Sequence, residues 1–371
     1  MKKELISQLE TPCIVIDVRK AKKNIIDMQK AAKENGCRLR PHIKTHKMPL
    51  FAKEQMLQGA TGITCAKISE AEVMAAEGID DIFVAYPMIG DFRIKRAIHL
   101  AKKINRLILA VDSIEGARML EEHAKEEGCV LEVRLEVDTG LKRTGVDRSQ
   151  MLSLAKEIAK SEYLNLTGIY TFKGLTLDNE PTTDREAAGI EEGKLLAQMD
   201  RDLRDAGIAL PDISAGSTPT GLITAKTGLV NEIRPGTYIF NDYMLYKEGA
   251  AKLIDVAARI YSTVVSTPVK DYAVIDGGTK TFPMDIMPNT APYYYPGYAA
   301  AEFDQDLCLL RMNEEHGILT RRTGDIGLHP GDVISFYPIH VCTAINMQNE
   351  VYLYDGETLV KEPVKARGML V

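Results

Sequence analysis

A cluster of basic side chains, RPHIKTHK at residues 40–47, contains the residue types that a reactive lysine requires. If this segment ends a β-strand, side-chain alternation places four residues on one face: Arg40, His42, Lys44 and His46. A lysine that is partly removed from water beside other cations has a lowered pKa, and its neutral amine can form a Schiff base. The pattern therefore predicts a reactive Lys44 with His42 beside it. A solvated basic loop is the alternative.

The segment SAGSTPTG, residues 214–221, could form a phosphate-binding loop. Small residues allow backbone N–H groups to approach an anion closely, and hydroxyl groups add donors. The residues that could contribute, here and in the nearby segment EIRPGTYIFND, are Ser217, Thr218, Thr220, Arg234, Gly236 and Tyr238. A plain turn is the alternative, and the position of the loop in the fold decides between the two.

The segment EVDTGLKRTGV, residues 136–146, places Asp138, Thr139 and Arg143 at a predicted change from strand to loop. The guanidinium of Arg143 could hold an anionic oxygen or a carboxylate. The alternative is a capping aspartate followed by an exposed arginine.

The segment YPIHVCTAIN, residues 337–346, contains two residue types that bind metals, with His340 and Cys342 two positions apart. On a strand these two side chains would share a face. An imidazole nitrogen and a thiolate are good zinc ligands, and two ligands would leave positions open for water and substrate. A buried histidine and cysteine without metal is the alternative, and NEEHG at residues 313–317 is similarly open to either interpretation.

The elements that must position these residues alternate along most of the chain. From residue 12 to 246, eight short apolar segments alternate with amphipathic ones: RLRPHI, GITCA, DIFVAY, RLILAV, LEVRLEV, LTGIYTF, DISAG and IRPGTYIF. Eight strands, each followed by a helical segment, predict an α/β fold, a (β/α)8 barrel. A doubly wound open sheet is the alternative, but no GxGxxG follows the first strand. Residues 247–371 predict a second, mostly β domain, which residues 1–11 could join.

Composition excludes several classes of protein. The formal net charge of −6 gives no support for nucleic-acid binding. No apolar run approaches the ~20 residues that cross a bilayer. The N-terminal residues MKKELISQLETP lack the apolar core of a signal peptide, so we expect a cytoplasmic protein. The six scattered cysteines contain no CxxC and predict reduced thiols.

Taken together, these segments resemble the fold-type III pyridoxal-phosphate enzymes of the D-threonine aldolase and D-serine dehydratase family, relatives of alanine racemase. TPCIVID, RPHIKTHK, EVDTGLKRTGV, SAGSTPT, EIRPGTYIFND, EEHG and HVC occur in the order of the family and span essentially the whole chain. The resemblance implies an N-terminal barrel, a C-terminal β domain and a homodimer.

The resemblance also implies roles for individual residues: Lys44 as the Schiff-base lysine, Arg143 near the phenolic oxygen of pyridoxal phosphate, Gly216, Ser217, Thr218, Gly236 and Thr237 around its phosphate, Tyr170 beside its ring, and His340 and Cys342 as ligands of a divalent metal. The thiolate favours zinc over manganese because it is a soft ligand. One residue departs from the family: many relatives have a histidine where GIYTFKGLT has Phe172.

The implied activity is a metal-assisted lyase reaction on a D-3-hydroxy amino acid. D-Threonine-type aldol cleavage to glycine and an aldehyde is the preferred interpretation. β-Elimination of D-serine or a D-3-hydroxy amino acid to a 2-oxo acid and ammonia is the second. Racemisation, which needs no metal, is the third, and a cofactor-binding regulatory module is disfavoured by the ~120-residue β domain, since such modules are single domains.

Overall fold

The structure is a computed structural model that describes residues 1–371. The chain begins with a short helix α1 (Lys3–Ile6), strand β1 (Cys13–Asp17) and a long helix α2 (Val18–Glu34). It folds as two compact units, which we name the β unit and the barrel unit. The β unit comprises Met1–Ile26, Thr45–Lys47 and Thr237–Gly368, and the barrel unit comprises Asp27–Lys44, Met48–Gly236 and Met369–Val371.

Ten strands lie in the barrel unit, and they are β2 (Arg38–Leu39), β3 (Ile63–Cys65), β4 (Asp81–Pro87), β5 (Arg106–Val111), β6 (Leu131–Glu136), β7 (Leu164–Tyr170), β8 (Thr176–Leu177), β9 (Glu180–Pro181), β10 (Asp212–Ala215) and β11 (Glu232–Ile233). Strands β8 and β9 pair only with each other. The other eight form one sheet in the order β2-β11-β10-β7-β6-β5-β4-β3, and all their pairings are parallel.

This sheet closes on itself between its two outermost strands. His42 forms a parallel bridge with Thr64, and the Thr64 N–H donates to the Pro41 carbonyl at 2.8 Å. Each of the eight strands overlaps one of the eight predicted segments. The closed parallel sheet confirms the (β/α)8 barrel and excludes the doubly wound alternative.

Seven helices follow the barrel strands, and they are α3 (Pro49–Leu57), α4 (Ile68–Ala76), α5 (Asp91–Ala101), α6 (Ile114–Glu126), α7 (Arg148–Ala159), α8 (Arg185–Asp205) and α9 (Gly221–Lys226). Side chains of Ser113, Asp147 and Asp184 accept hydrogen bonds from first-turn N–H groups, and these bonds explain why α6, α7 and α8 begin where they do. None of the helices in the chain combines the length and apolar composition needed to span a bilayer.

The β unit continues with α10 (Tyr243–Lys247), β12 (Ala258–Val269), β13 (Tyr272–Ile275), β14 (Ala299–Ala301), β15 (Leu307–Met312), β16 (Gly317–Arg321), β17 (Val333–Pro338), α11 (Val341–Asn346), β18 (Glu350–Tyr354) and β19 (Leu359–Pro363). Its sheet has the order β13-β16-β15-β14-β17-β12-β1-β18-β19, and β13 also pairs with β12. Six strands therefore close a ring, and β1, β18 and β19 extend the sheet beside it. This arrangement confirms the predicted β domain.

Strand β1 is a member of the sheet of the β unit. It pairs antiparallel with β12 and parallel with β18, both in the β unit. Its first four residues are buried, because the strand is covered on both faces and bordered on both edges. An apolar run of this kind suits either sheet, so its sequence did not identify its partner strands.

Candidate active site

The basic segment at residues 40–47 does not continue as a strand. Strand β2 ends at Leu39, and Ile43–Thr45 forms a 3-10 turn. The predicted common face of Arg40, His42, Lys44 and His46 is therefore wrong, because strict alternation requires extended backbone. The four side chains have different surroundings.

Arg40 is fully buried in the barrel core and belongs to a structural ion-pair network. Its Nε lies 3.0 Å from Glu232 Oε2, and its Nη1 lies 2.5 Å from Asp81 Oδ1. His46 is also fully buried, in the β unit, where its ring meets the edge of Phe240 at a centroid distance of 6.5 Å. Both residues thus contribute to packing.

Lys44 and Arg143 lie against the same aromatic ring. Lys44 Nζ is 5.6 Å from the centroid of Phe172, and Arg143 Cζ is 4.9 Å from it. The Lys44 backbone N–H donates to His42 Nδ1 at 3.3 Å, which leaves the ring proton of a neutral His42 on Nε2. The structure thus brings together three predicted site residues and the residue that departs from the family.

The loop that carries Arg143 is held by hydrogen bonds among its own residues, 137–146. Asp138 Oδ1 accepts from the N–H groups of Gly140 and Lys142, and Val137 bridges to Val146. Arg143 itself is exposed and forms no salt bridge in the structure. Its charge is therefore available to an anion at the barrel mouth, while Asp138 closes a turn and caps no helix.

Tyr170 ends strand β7 inside the barrel and is only 1% exposed. Its hydroxyl donates to Glu136 Oε2 at 2.9 Å, and Phe83 meets its ring edge-on at 4.9 Å. Burial raises the pKa of Tyr170 and also the pKa of Glu136. The Arg234 guanidinium lies 4.9 Å from the Tyr170 ring centroid. Sequence reasoning missed Glu136 as the partner of this tyrosine.

The predicted phosphate loop follows β10, the seventh strand of the barrel. Gly216 has φ +83°, and a Cβ on it would lie 2.7 Å from Gly221 Cα, so the loop is shaped for glycine. Ser217 is buried, and its hydroxyl lies 2.9 Å from Thr220 Oγ1. Thr218 is half-buried in the same turn. The close approach of backbone to backbone makes residues 216–221 a tight turn.

Glu192 on α8 supports this loop from within, and sequence reasoning missed it. Its carboxylate accepts from the N–H of Gly216 and of Lys173, both at 3.3 Å, and from the hydroxyls of Thr220 and Thr224. Burial raises its pKa. Gly216 N–H is therefore committed to Glu192 and shapes the loop. A signal existed, since Glu192 lies four residues from each of two buried apolar positions on its helix: Ala188 and Leu196.

Residues after β11 divide between the two units. Arg234 donates to Ser214 Oγ and to the Thr171 carbonyl within the barrel unit, so it links strands there. Gly236 is buried at the end of that unit. Thr237 and Tyr238 begin a 3-10 turn of the β unit.

His340 and Cys342 do not lie on a strand, which corrects that prediction. Strand β17 ends at Pro338, His340 is the residue before α11, and Cys342 is in its first turn. Both residues nevertheless stand at the start of the same helix, two positions apart. The helix begins here because Asp242 Oδ2 accepts from the Val341 N–H at 3.1 Å.

Each member of this pair has a polar partner in the β unit. His340 Nδ1 lies 2.5 Å from Asp285 Oδ2, and Cys342 Sγ lies 3.1 Å from Thr45 Oγ1 and 3.6 Å from Thr237 Oγ1. No group of three or more His, Cys, Asp and Glu side chains forms a metal-ligating cluster in the chain. The donor set, one imidazole and one thiol, therefore fits a two-ligand site with open positions and not a closed structural zinc site.

The NEEHG segment does not join this pair. Its backbone forms a turn in which the Asn313 N–H donates to the His316 carbonyl, and Lys280 Nζ lies 2.5 Å from Glu315 Oε1. Glu314 and His316 are exposed. These contacts explain the segment as a turn at the surface of the β unit. None of the six cysteines of the chain forms a disulfide.

Comparison with known proteins identifies the family. The model of the alanine racemase N-terminal domain matches residues 16–244, and that of a serine dehydratase domain matches residues 257–354. The chain is 32% identical to D-threo-3-hydroxyaspartate dehydratase of Delftia sp. strain HT23, over 90% of this chain and 91% of that one. It is 28% identical to D-threonine aldolase of an Arthrobacter species, over 97% of this chain and 91% of that one.

Two solved structures of D-threo-3-hydroxyaspartate dehydratase are also similar. A histidine-to-alanine mutant has a TM-score of 0.88 and 28% identity, covering 97% of each chain. A cysteine-to-alanine mutant in the metal-free form has a TM-score of 0.87 and 29% identity, covering 96% of this chain and 97% of that one. The mutated histidine and cysteine are two positions apart, as His340 and Cys342 are here. This chain belongs to the pyridoxal-phosphate-dependent family that joins an alanine racemase N-terminal domain to a serine dehydratase domain.

Proposed function

We propose that this protein is a metal-assisted, pyridoxal-phosphate-dependent lyase that acts on D-3-hydroxy amino acids. The observation that carries the proposal is that His340 and Cys342 stand together at the start of α11, with the Asp285 carboxylate hydrogen-bonded to the histidine. The pair has the spacing of the histidine and cysteine mutated in the related dehydratase, one of whose structures is of the cysteine mutant in the metal-free form. Relatives named as aldolases and dehydratases support the substrate class.

The cofactor would be held by the residues that the sequence predicted. Lys44 would bind it covalently, Arg143 would face an anionic oxygen, and the loop around Gly216, Ser217 and Thr218, with Gly236, Thr237 and Tyr238, would hold its phosphate. Tyr170 would pack beneath it. When bound, pyridoxal phosphate supplies an electron sink for negative charge at the substrate Cα.

The side chains of this chain would then direct the proton transfers. The Lys44 amine would remove or return the proton at Cα, and the hydrogen bond from its backbone N–H to His42 fixes the position of both residues. Phe172 would cover the reacting centre with an apolar surface and exclude water from it. Arg143 would stabilise negative charge beside that surface.

His340 and Cys342 would hold the metal, which supplies Lewis acidity at the β-hydroxyl of the substrate. Thr45 follows Lys44 directly in the chain and hydrogen-bonds Cys342. We propose zinc as the metal, because a thiolate is a soft ligand that zinc accepts more readily than manganese. The homodimer, the cytoplasmic location and the domain ranges stay predictions from the sequence.

β-Elimination is the first candidate reaction, because the relative with the mutated histidine and cysteine is a dehydratase. The Lys44 amine would take the α-proton and return a proton to the departing β-hydroxyl, which leaves as water, and hydrolysis of the enamine product would yield a 2-oxo acid and ammonia. Aldol cleavage, which the sequence favoured, is the second candidate, because the related D-threonine aldolase aligns over 97% of this chain. There the Cα–Cβ bond breaks, and glycine and an aldehyde form.

A panel of D- and L-3-hydroxy amino acids, assayed with and without a chelator, tests the proposal. We expect turnover of D-substrates that falls on chelation and returns with zinc. A 2-oxo acid with ammonia would identify the dehydratase, and glycine with an aldehyde would identify the aldolase. Interconversion of enantiomers that is insensitive to chelation would refute the lyase and support a racemase.

A further inference from the structure

Asp285 is a carboxylate in the β unit for which neither the sequence motifs nor the proposed mechanism provides a role. It lies between β13 and β14, 55 residues from His340 in the chain. Its Oδ2 is 2.5 Å from His340 Nδ1, and the same oxygen accepts from Thr343 Oγ1 at 3.0 Å. Thr343 lies on α11, the helix that also carries Cys342.

These two hydrogen bonds determine how His340 is presented. A carboxylate at Nδ1 keeps the ring proton on that nitrogen, so the lone pair for a metal is on Nε2. It also prevents rotation of the ring about its bond to Cβ, because rotation would break a hydrogen bond to a charged group. Thr343 fixes the carboxylate relative to α11, and therefore relative to Cys342.

The other polar groups near His340 and Cys342 are either uncharged or bonded to the backbone, whereas Asp285 is a carboxylate bonded to a histidine ring. Cys342 contacts the hydroxyl groups of Thr45 and Thr237, which are neutral. Asp242, the other carboxylate nearby, is occupied with the backbone N–H groups of Leu245 and Val341. Among these contacts, the carboxylate that meets a ring nitrogen is that of Asp285.

We propose that Asp285 is a positioning residue that sets the tautomer and orientation of His340 for metal binding through Nε2. This inference rests on the proposed function, since His340 and Cys342 are the proposed ligands. Removing such a carboxylate partner lowers metal affinity by about 10–100-fold in proteins with a carboxylate–histidine–metal arrangement. Asp285 would act through His340 and touch neither substrate nor metal.

The test is a zinc titration of the pyridoxal-phosphate-loaded protein in competition with a chromophoric chelator. We expect Asp285→Ala to weaken zinc binding by about 10–100-fold. Asp285→Asn should lie between that variant and the wild type, because an amide oxygen can still accept from Nδ1. Asp325→Asn, which removes the same charge from an exposed residue of the β unit, is the matched control and should bind zinc as the wild type does.

A second readout separates positioning from general support of the fold. The cobalt-substituted protein should show a thiolate-to-metal absorption band that changes in Asp285→Ala, while the Tm of the metal-free protein stays within a few degrees of the wild type. Zinc affinity unchanged in Asp285→Ala, or a loss explained by a lower metal-free Tm, would overturn the inference. Failure of the wild type itself to bind zinc would instead refute the proposed metal site.

Discussion

Replacing Gly216 by alanine tests the close backbone approach in the loop after β10. An alanine there must keep φ at +83°, which costs about 1–2 kcal/mol. Its Cβ would also lie 2.7 Å from Gly221 Cα, so the backbone must shift, and overpacking of this kind costs about 1–3 kcal/mol. The two costs can be separated because the chain contains a matched control.

Gly207, which follows α8, has the same φ of +83° but no atom within 4 Å of its ideal Cβ position. Gly207→Ala therefore carries only the cost of the left-handed backbone. We expect Gly216→Ala to be less stable than Gly207→Ala by about 1–3 kcal/mol. For a domain of this size that difference lowers Tm by roughly 2–12 °C.

Thermal unfolding of both variants measures this difference, and titration with pyridoxal phosphate measures cofactor binding. Gly216→Ala should bind the cofactor at least about tenfold more weakly, a loss of ~1.4 kcal/mol, and Gly207→Ala should bind it as the wild type does. Equal Tm values for the two variants would refute the packing argument. A lowered Tm with unchanged cofactor affinity would place the phosphate elsewhere.

Three further predictions concern the barrel unit. Lys44→Ala should lose the visible absorption of the lysine Schiff base together with turnover, and retained turnover of D-amino acids would contradict the mechanism. Glu232→Gln should destabilise the protein by about 3–5 kcal/mol in chemical denaturation, because it removes the fully buried carboxylate that Arg40 and Arg134 share and leaves each arginine with one ion-pair partner fewer. Burial disfavours the charged form of Glu232, but the positive charges of Arg134 and Arg40 outweigh burial and hold the pKa of Glu232 well below its ordinary value of 4.5. The ionised carboxylate therefore stabilises the fold above pH 4.5, and this stabilisation is lost as the pH falls further. The variant should lose that acid sensitivity. Phe172→His should raise kcat/KM for D-threo-3-hydroxyaspartate relative to D-threonine by about tenfold, since an imidazole can hydrogen-bond a second carboxylate, and an unchanged ratio would exclude Phe172 from specificity.

The barrel strands were predictable because their signal is local. Each is a short apolar segment followed by an amphipathic one, and the alternation can be recognised without knowing which strands pair. Partner choice is not local. Strand β1 has an apolar run that suits a parallel sheet, and only its pairing with β12 and β18 shows that it belongs to the β unit.

Two local predictions failed because the backbone does not continue as the strand that each pattern predicted. The segment around His340 and Cys342 has β-branched residues that favour a strand, but Asp242, 99 residues away, caps it as a helix. The segment after β2 turns into a 3-10 helix at Ile43–Thr45 instead of continuing the strand. In both cases the candidate chemistry remained, while the geometry that presents it changed.

The sequence by itself determined which residue types are available and in what order: a lysine among cations, a glycine-rich loop after the seventh barrel strand, and a histidine and a cysteine two positions apart. Only the tertiary structure decided their partners. It placed Phe172 against Lys44 and Arg143, and it placed the Asp285 carboxylate within hydrogen-bond distance of His340 Nδ1. The physical reason is that hydrogen bonds and ring contacts form between side chains that are distant in the chain, and their positions depend on how the whole backbone folds.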